Sequence, residues 1–285
     1  MKLPTKPPVR LAKLLFPLLC LAALPLAAED GLAAKLDAFT SAAPYEHAHW
    51  GLLFVDQASG EVLHERNAGK LFAPASTTKL FTVATALDAL GAEHRFRTPL
   101  YLRGMLGAQG ELVGDVILVA SGDLSLGGRK NEKGEIAYAD SDHTYANWAS
   151  DAALTPQDPL AGLDDLARQA AAAGLKKVCG DVLIDDRLFE PSHGSGSGPG
   201  KVTPILVNDN VLDITLEATE VGKPAKLTWR PQTEMFRVVS VVETIAAGGK
   251  PDIQIERRED GGVHVSGKIP AGHAPLLRIF EAPGF

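Results

Sequence analysis

Apolar residues recur at intervals of three and four in three stretches of the chain. The sets are Leu32, Leu36 and Phe39; Leu80, Val83, Ala84, Leu87 and Leu90; and Leu163, Leu166, Ala167 and Ala170. This spacing puts each set on one face of a helix, so it predicts helices over residues 31–40, from Pro74 to Gly91, and over residues 160–175. Gly91 and Gly174 lie where the second and third helices should end.

Short apolar runs separated by glycine and polar residues predict strands in most of the remaining chain. These runs are a hairpin over 50–66, strands within 99–120 and over 178–184, and, after residue 200, runs at 205–217, 225–229, 236–244, 253–257 and 263–269. A chain of a few helices and many short strands is of the α+β class.

Ser76-Thr77-Thr78-Lys79 is the segment with the clearest chemical meaning. Positions three apart share a helix face, so an amine on Lys79 can reach the hydroxyl of Ser76 and take its proton. A start of the helix near Pro74 puts Ser76 in the first turn, where free N–H groups favour a developing alkoxide. By itself the S-x-x-K spacing is common, and a capping Ser with a solvated Lys is the alternative.

The residues around this segment give it a longer context. His49-Trp50-Gly51-Leu52-Leu53-Phe54-Val55-Asp56 leads into Ser59-Gly60-Glu61-Val62-Leu63 and then into Phe72-Ala73-Pro74-Ala75-Ser76-Thr77-Thr78-Lys79. This stretch resembles the penicillin-binding proteins, in which a hairpin precedes the S-x-x-K helix and the Ser is acylated by a D-Ala-D-Ala peptide or a β-lactam.

Further motifs narrow the resemblance to the penicillin-binding protein 4 type, the D-alanyl-D-alanine carboxypeptidase/endopeptidases. They are 91–98 (GAEHRFRT), 114–116 (GDV), 121–126 (SGDLSL), 180–186 (GDVLIDD) and 207–210 (VNDN). The resemblance implies a partial serine β-lactamase/DD-peptidase-like domain, a helix on an antiparallel sheet, with a large, mostly β insertion. It predicts residues 29–98 as the first part of the catalytic domain, 99–275 as the insertion with one helix near 160–175, and 276–285 as the start of the return.

Two motifs of that superfamily are missing from these 285 residues. No S-x-N and no Lys-Thr-Gly or Lys-Ser-Gly occurs, and Tyr145-Ala146-Asn147, which has a Y-x-N form, falls in the insertion-like part and is interpreted as coincidence. The expectation is therefore an N-terminal portion of a longer protein, with little or no turnover by the isolated chain.

Residues 1–28 have the design of a cleaved secretory signal peptide: Lys2, Lys6, Arg10 and Lys13 precede and flank an apolar run that ends in Ala27-Ala28. Cys20 lacks the preceding small residue of a lipidation signal. Removing this segment, which holds four basic and no acidic residues, shifts the net charge from −7 to −11. The periplasm is the expected location, and nucleic acid is not an expected partner.

The spacing of the remaining His, Asp and Cys residues does not indicate a metal site or a second catalytic site. His47-Ala48-His49 lacks a third zinc-type ligand, Asp185-Asp186 and Asp140-Ser141-Asp142 are typical of solvated turns, and Cys179 is expected to be a small buried residue. No cofactor and no metal is expected.

The resemblance thus implies a serine-type D-alanyl-D-alanine carboxypeptidase/endopeptidase acting on peptidoglycan stem peptides, with Ser76 and Lys79 catalytic and β-lactams as covalent inhibitors. Two alternatives stay open, a catalytically incomplete protein that binds peptidoglycan or a partner, and a β-lactamase or esterase of the same fold. The oligomeric state is left undetermined.

Overall fold

The structure is a computed structural model that describes residues 31–194, 196 and 198–281. The predicted signal peptide and Cys20 lie outside these residues. The chain divides between Ala92 and Glu93 into two compact units. Over the part of the chain that is described, no helix has the length and apolarity needed to cross a bilayer.

The first unit contains helix α1 (Leu32–Thr40), the antiparallel hairpin of β1 (Leu52–Val55) and β2 (Val62–Arg66), a 3-10 turn (Ala75–Thr77) and helix α2 (Thr78–Leu90). The hairpin turn is closed by Asp56, whose carboxylate accepts hydrogen bonds from the N–H groups of Ala58 (3.1 Å) and Ser59 (2.7 Å). Those bonds and the hydroxyl of Ser59 lower the pKa of Asp56.

The second unit begins with a sheet that carries one helix. Its strands are β3 (Leu100–Leu106), β4 (Glu111–Val119), β5 (Lys177–Val178) and β6 (Val182–Asp185), and helix α3 (Ala161–Ala172) precedes β5. Strand β3 pairs antiparallel with β4, whereas β5 and β6 run parallel to β4. A parallel pair needs a long connection, which α3 supplies here.

The remaining strands form a short pair and two three-stranded sheets. They are β7 (Ser192–His193), β8 (Lys201–Val202), β9 (Val211–Glu217), β10 (Lys226–Arg230), β11 (Val238–Ile245), β12 (Asp252–Arg257), β13 (Val263–Pro270) and β14 (Leu276–Glu281). The orders are β7-β8, β10-β9-β14 and β11-β13-β12.

The main apolar core joins these two three-stranded sheets. Leu212, Ile214 and Leu216 of β9 are fully buried in one cluster with residues of β11 and β13. Because side chains alternate along a strand, Asp213 points to the opposite side of β9, where it is also buried. This alternation places a charged residue beneath the loops described below.

The observed elements confirm the α+β class and the three predicted helices, with Gly91 ending α2 at a positive φ of 81°. The division of the chain into catalytic part and insertion stays a prediction. Residues 276–281, predicted to begin the return, form β14 and pair with β9 in the second unit.

Candidate active site

Ser76 lies in the 3-10 turn that leads directly into α2. Pro74, which has no N–H to donate, precedes the turn and accepts the N–H of Thr77 at 3.0 Å. The hydroxyl of Thr77 bonds to the carbonyl of Pro74, and that of Thr78 bonds to the carbonyl of Ala75 (2.9 Å). These bonds tie the two threonine hydroxyls to the backbone.

The hydroxyl of Ser76 is bonded to a side chain instead. Lys79 Nζ donates to Ser76 Oγ at 2.9 Å, and both residues are exposed to solvent. The spacing of three residues therefore produces the contact predicted from the sequence. A direct contact of this length is the path along which a proton can pass between the two groups.

Ala75, immediately before Ser76, has an unusual backbone conformation. Its φ is +44°, in the left-handed region that a residue with a Cβ enters at a cost of about 1–2 kcal/mol. Such residues concentrate at functional sites, where the surrounding structure holds them in place. Here the strained residue lies directly before Ser76, at the start of the turn that leads into α2.

Phe72 packs the segment before Ser76 against the start of the hairpin. Its ring stacks on His49 with centroids 4.8 Å apart, and a Cβ added to Gly51 would come within 2.4 Å of the same ring. Gly51 is therefore required to be small so that Phe72 can lie against the start of β1. The segment before Ser76 is thus anchored on the hairpin.

The other candidate groups from the sequence are engaged elsewhere. Asp185 is paired with Arg187 (2.6 Å), which lowers its pKa to about 2, and His47 lies beside Glu46. Asp142 caps a 3-10 turn. No cluster of His, Cys, Asp and Glu suited to a metal ion occurs within residues 31–281 as far as they are described.

The Y-x-N tripeptide has a structural role in the second unit. Asn147 Nδ2 donates to the carbonyl of Ile279 and Oδ1 accepts the Ile279 N–H, both at 3.0 Å. Both ends of the amide are therefore used to hold β14 against the loop. Nothing in this arrangement resembles a substrate-binding amide.

The expectation that Cys179 is buried is wrong. Strand β5 ends at Val178, and Cys179 is exposed, with its thiol donating to Glu111 Oε1 at 3.1 Å. The hydrogen bond to the Glu111 carboxylate raises the pKa of this thiol, which keeps it in the less reactive neutral form.

A buried cluster of charges in the second unit was not predicted. His143 Nδ1 lies 2.5 Å from Asp213 Oδ1, and His143 Nε2 lies 2.7 Å from Asp209 Oδ2. Arg230 Nε donates to the other oxygen of Asp213 at 2.8 Å. Arg129 contacts Asp209 and lies 3.3 Å from Asp142. We call these six residues the charge cluster.

The charge cluster contains an unusual turn and raises the pKa of a buried histidine. Asn208, Asp209 and Asn210 have φ values of 51°, 54° and 57°, a left-handed run that asparagine and aspartate tolerate best. Burial by itself lowers the pKa of His143, but hydrogen bonds and charge from Asp209 and Asp213 outweigh it and raise the pKa to about 9. Two motifs singled out in the sequence contribute to this cluster, Val207-Asn208-Asp209-Asn210 and Asp140-Ser141-Asp142, whose Asp142 lies beside Arg129 and is not the solvated turn residue that was expected.

Comparison with known proteins identifies the family. The sequence profile of the D-Ala-D-Ala carboxypeptidase 3 (S13) family matches residues 32–281. This chain belongs to the S13 family. A D-alanyl-D-alanine carboxypeptidase of Actinomadura sp. (strain R39) is 28% identical over 266 residues, covering 87% of this chain and 43% of that protein. This S13 chain therefore spans less than half the length of that relative.

Solved structures show the same fold. The crystal structure of penicillin binding protein 4 from Haemophilus influenzae matches with a TM-score of 0.55 at 19% identity, covering 82% of this S13 chain and 47% of that chain. The same protein complexed with a novel β-lactam matches with a TM-score of 0.53 at 19% identity, covering 82% and 45%. The resemblance drawn from the motifs is thereby confirmed for family and fold.

Proposed function

We propose that this chain carries the nucleophile of a serine-type D-alanyl-D-alanine carboxypeptidase/endopeptidase that acts on peptidoglycan stem peptides in the periplasm. The observation that carries the proposal is the 2.9 Å contact between Ser76 Oγ and Lys79 Nζ at the start of α2, in a chain of the S13 family. Two independent features support it, the strained Ala75 before Ser76 and the use of the neighbouring threonine hydroxyls by the backbone.

In the proposed reaction, Ser76 Oγ attacks the carbonyl carbon of the D-Ala-D-Ala amide while its proton passes to Lys79 Nζ, which acts as the base. The carbonyl oxygen becomes an oxyanion, and Lys79 then delivers the proton to the leaving amine as the amide C–N bond breaks. The product is an ester on Ser76. Water cleaves this ester by the reverse proton path and regenerates the hydroxyl.

The oxyanion needs at least one N–H donor, and the first N–H groups of a helix have no partner within it. The N–H of Ser76 lies at such a position. By resemblance, a second donor would come from the strand beside a K-T-G motif, which these 285 residues do not contain. We therefore expect slow acylation by the 285-residue chain alone.

A β-lactam would follow the same first step, because its strained amide offers the same carbonyl carbon to Ser76. The relative from Haemophilus influenzae has been crystallised with such a compound. The proposal thus includes β-lactams as covalent inhibitors and the peptide as substrate, with no cofactor.

The test is incubation of the complete gene product with a labelled penicillin, followed by intact-mass and peptide analysis. We expect one adduct on Ser76 in the wild type, none in Ser76→Ala, and an adduct of normal yield in Ser41→Ala, which removes another exposed hydroxyl of the first unit. An adduct retained by Ser76→Ala, or none in the wild type, would refute the proposal.

A further inference from the structure

Two aromatic side chains project into solvent from one segment of the second unit. Tyr138 is 81% exposed and Trp148 is 60% exposed. Between them, Tyr145 is partly buried and lies against Trp148 with ring centroids 4.6 Å apart. Large aromatic side chains are usually buried, so a group of them on the surface points to a binding role.

Tyr138 precedes Tyr145 and Trp148 in the same segment of the chain. The Tyr138 hydroxyl donates to Asp140 at 3.2 Å. That hydrogen bond is the main reason that the pKa of Tyr138 is raised. We call Tyr138, Tyr145 and Trp148 the aromatic patch.

The backbone beneath the patch is fixed on several sides. Asp142 accepts the N–H (2.9 Å) and the hydroxyl (2.6 Å) of Thr144, and His143 is held in the charge cluster. Arg278 donates to the carbonyl of Ala146 at 3.0 Å. Asn147 is bonded to β14, as described above. A surface whose backbone is held this firmly loses little conformational freedom when it binds a ligand.

The polar groups of the same segment narrow the class of ligand. Asp140, Ser141 and Asp151 lie in the same stretch, with Ser141 Oγ bonded to Asp151 at 3.3 Å. A protein partner would need a wider continuous apolar area. A nucleic acid, which also stacks on aromatic rings, would meet carboxylates in a chain of net charge −7.

A pyranose ring can contact both the aromatic rings and the polar groups of this surface. Its C–H groups lie against the electron-rich face of an aromatic ring, and its hydroxyl rim can donate to carboxylate and hydroxyl oxygens. We propose that Tyr138, Tyr145 and Trp148 form a saccharide-binding surface that takes successive pyranose rings of a glycan chain. The inference goes beyond the proposed function, because neither Ser76 nor Lys79 takes part in it.

The experiment measures binding by isothermal titration calorimetry to the complete gene product. The probes are chitotetraose, glycan strands of peptidoglycan freed of their peptides, and a stem peptide without sugar. We expect both saccharides to bind, and the dissociation constant to rise about threefold to tenfold in Trp148→Ala and in Tyr138→Ala, the range that corresponds to one aromatic contact. Binding of the peptidoglycan glycan strands but not of chitotetraose would show that the site is specific for the glycan of peptidoglycan.

Control variants distinguish loss of the aromatic patch from loss of folding or of any exposed aromatic side chain. Tyr101→Ala removes a tyrosine that is 57% exposed on β3 and should bind as the wild type does. Trp148→Phe keeps a ring and should retain most of the affinity, and thermal unfolding should show that all variants are folded. Ser76→Ala should lose penicillin labelling and keep saccharide binding, so that the two proposals fail separately.

Three results would overturn the inference. They are failure of both saccharides to bind, equal affinity in Trp148→Ala and the wild type, and binding of the stem peptide alone.

Discussion

At the scale of single residues, the candidate chemistry depends on which hydroxyl of Ser76-Thr77-Thr78-Lys79 is available. Thr77 and Thr78 bond to carbonyl oxygens behind them, and Ser76 bonds to Lys79. The sequence could predict this pair because both members lie one helical turn apart, so local spacing determines their contact.

Replacing Lys79 by Arg tests the proton transfer. Arginine can still donate a hydrogen bond to Ser76, but it does not lose its proton in proteins, so it cannot act as the base. We expect the rate of acylation by penicillin to fall by about 10²–10⁴-fold with unchanged thermal stability. A rate within a factor of two of the wild type would show that Lys79 is not the base.

Ala75 provides a test of the strained turn. Glycine accepts a φ of +44° without penalty, whereas a β-branched residue does not. We expect Ala75→Gly to label with penicillin as the wild type does, and Ala75→Val to unfold with about 1–3 kcal/mol less stability in urea titration. Equal stability of the two variants would contradict the left-handed conformation.

The residues that were predicted wrongly, or not at all, have partners distant in sequence. Cys179 was expected to be buried because it adjoins an apolar run, but its environment depends on where β5 ends and on Glu111, which lies on β4. His143 meets Asp209 and Asp213 only because the fold brings its loop over β9. Local patterns carry no information on such pairs.

At the scale of elements, the Ser76 helix is positioned by its attachment to the β1–β2 hairpin. Phe72 makes this attachment by lying against Gly51 and His49. The hairpin and both helices were predicted from periodicity and turn residues, while the contact between Phe72 and Gly51 was not, because periodicity does not say which elements touch.

Gly51→Ala should displace Phe72, because the new methyl group would overlap its ring. Displacement of the reacting atoms by a fraction of an ångström is costly, so we expect acylation of Ser76 to slow by about tenfold. Gly69→Ala is the matched control, since a Cβ there meets nothing within 4 Å. Equal slowing in both variants would mean that the Phe72 contact does not position the nucleophile.

The charge cluster predicts a dependence of stability on pH. The pKa of His143 is about 9 in the folded protein, above the ordinary 6.5, so the folded state binds the proton more tightly than the unfolded state does. The stabilisation is complete below pH 6.5 and is lost as the pH rises through 9, by an amount on the order of 3 kcal/mol.

Urea unfolding at pH 6.5 and at pH 9.5 measures this loss. His143→Gln should remove most of the pH dependence and be less stable than the wild type at pH 6.5, whereas His193→Gln, at an exposed position, should behave as the wild type does. A wild type that is equally stable at both pH values would rule out a protonated His143 in the folded state.

At the scale of the whole molecule, the two units differ in how much apolar surface they bury. Among the described residues, every buried apolar side chain belongs to the second unit, and Thr40 is the one buried residue of the first. On α2, Leu80 and Phe81 are 71% and 73% exposed. The helix that carries Ser76 thus has an apolar face that the described residues leave uncovered.

This difference predicts which part folds alone. Burial of apolar surface is the dominant stabilising term, so residues 93–285 should unfold cooperatively on heating when expressed alone, and residues 31–92 should show no cooperative transition. Calorimetry of the two fragments measures both. A sharp transition in the smaller fragment would show that the first unit is stabilised by something other than a buried core.

The pairing of β9 also determines the order in which this protein can assemble during synthesis. One side of β9 is covered by β10, which leaves the ribosome soon afterwards, but the other side is covered by β14, the last described strand. Until residues 276–281 have emerged, the nascent chain holds β9 with an open backbone edge to which another chain can bind. Protection of that edge by a chaperone is therefore most needed between the emergence of β10 and the emergence of β14 from the ribosome.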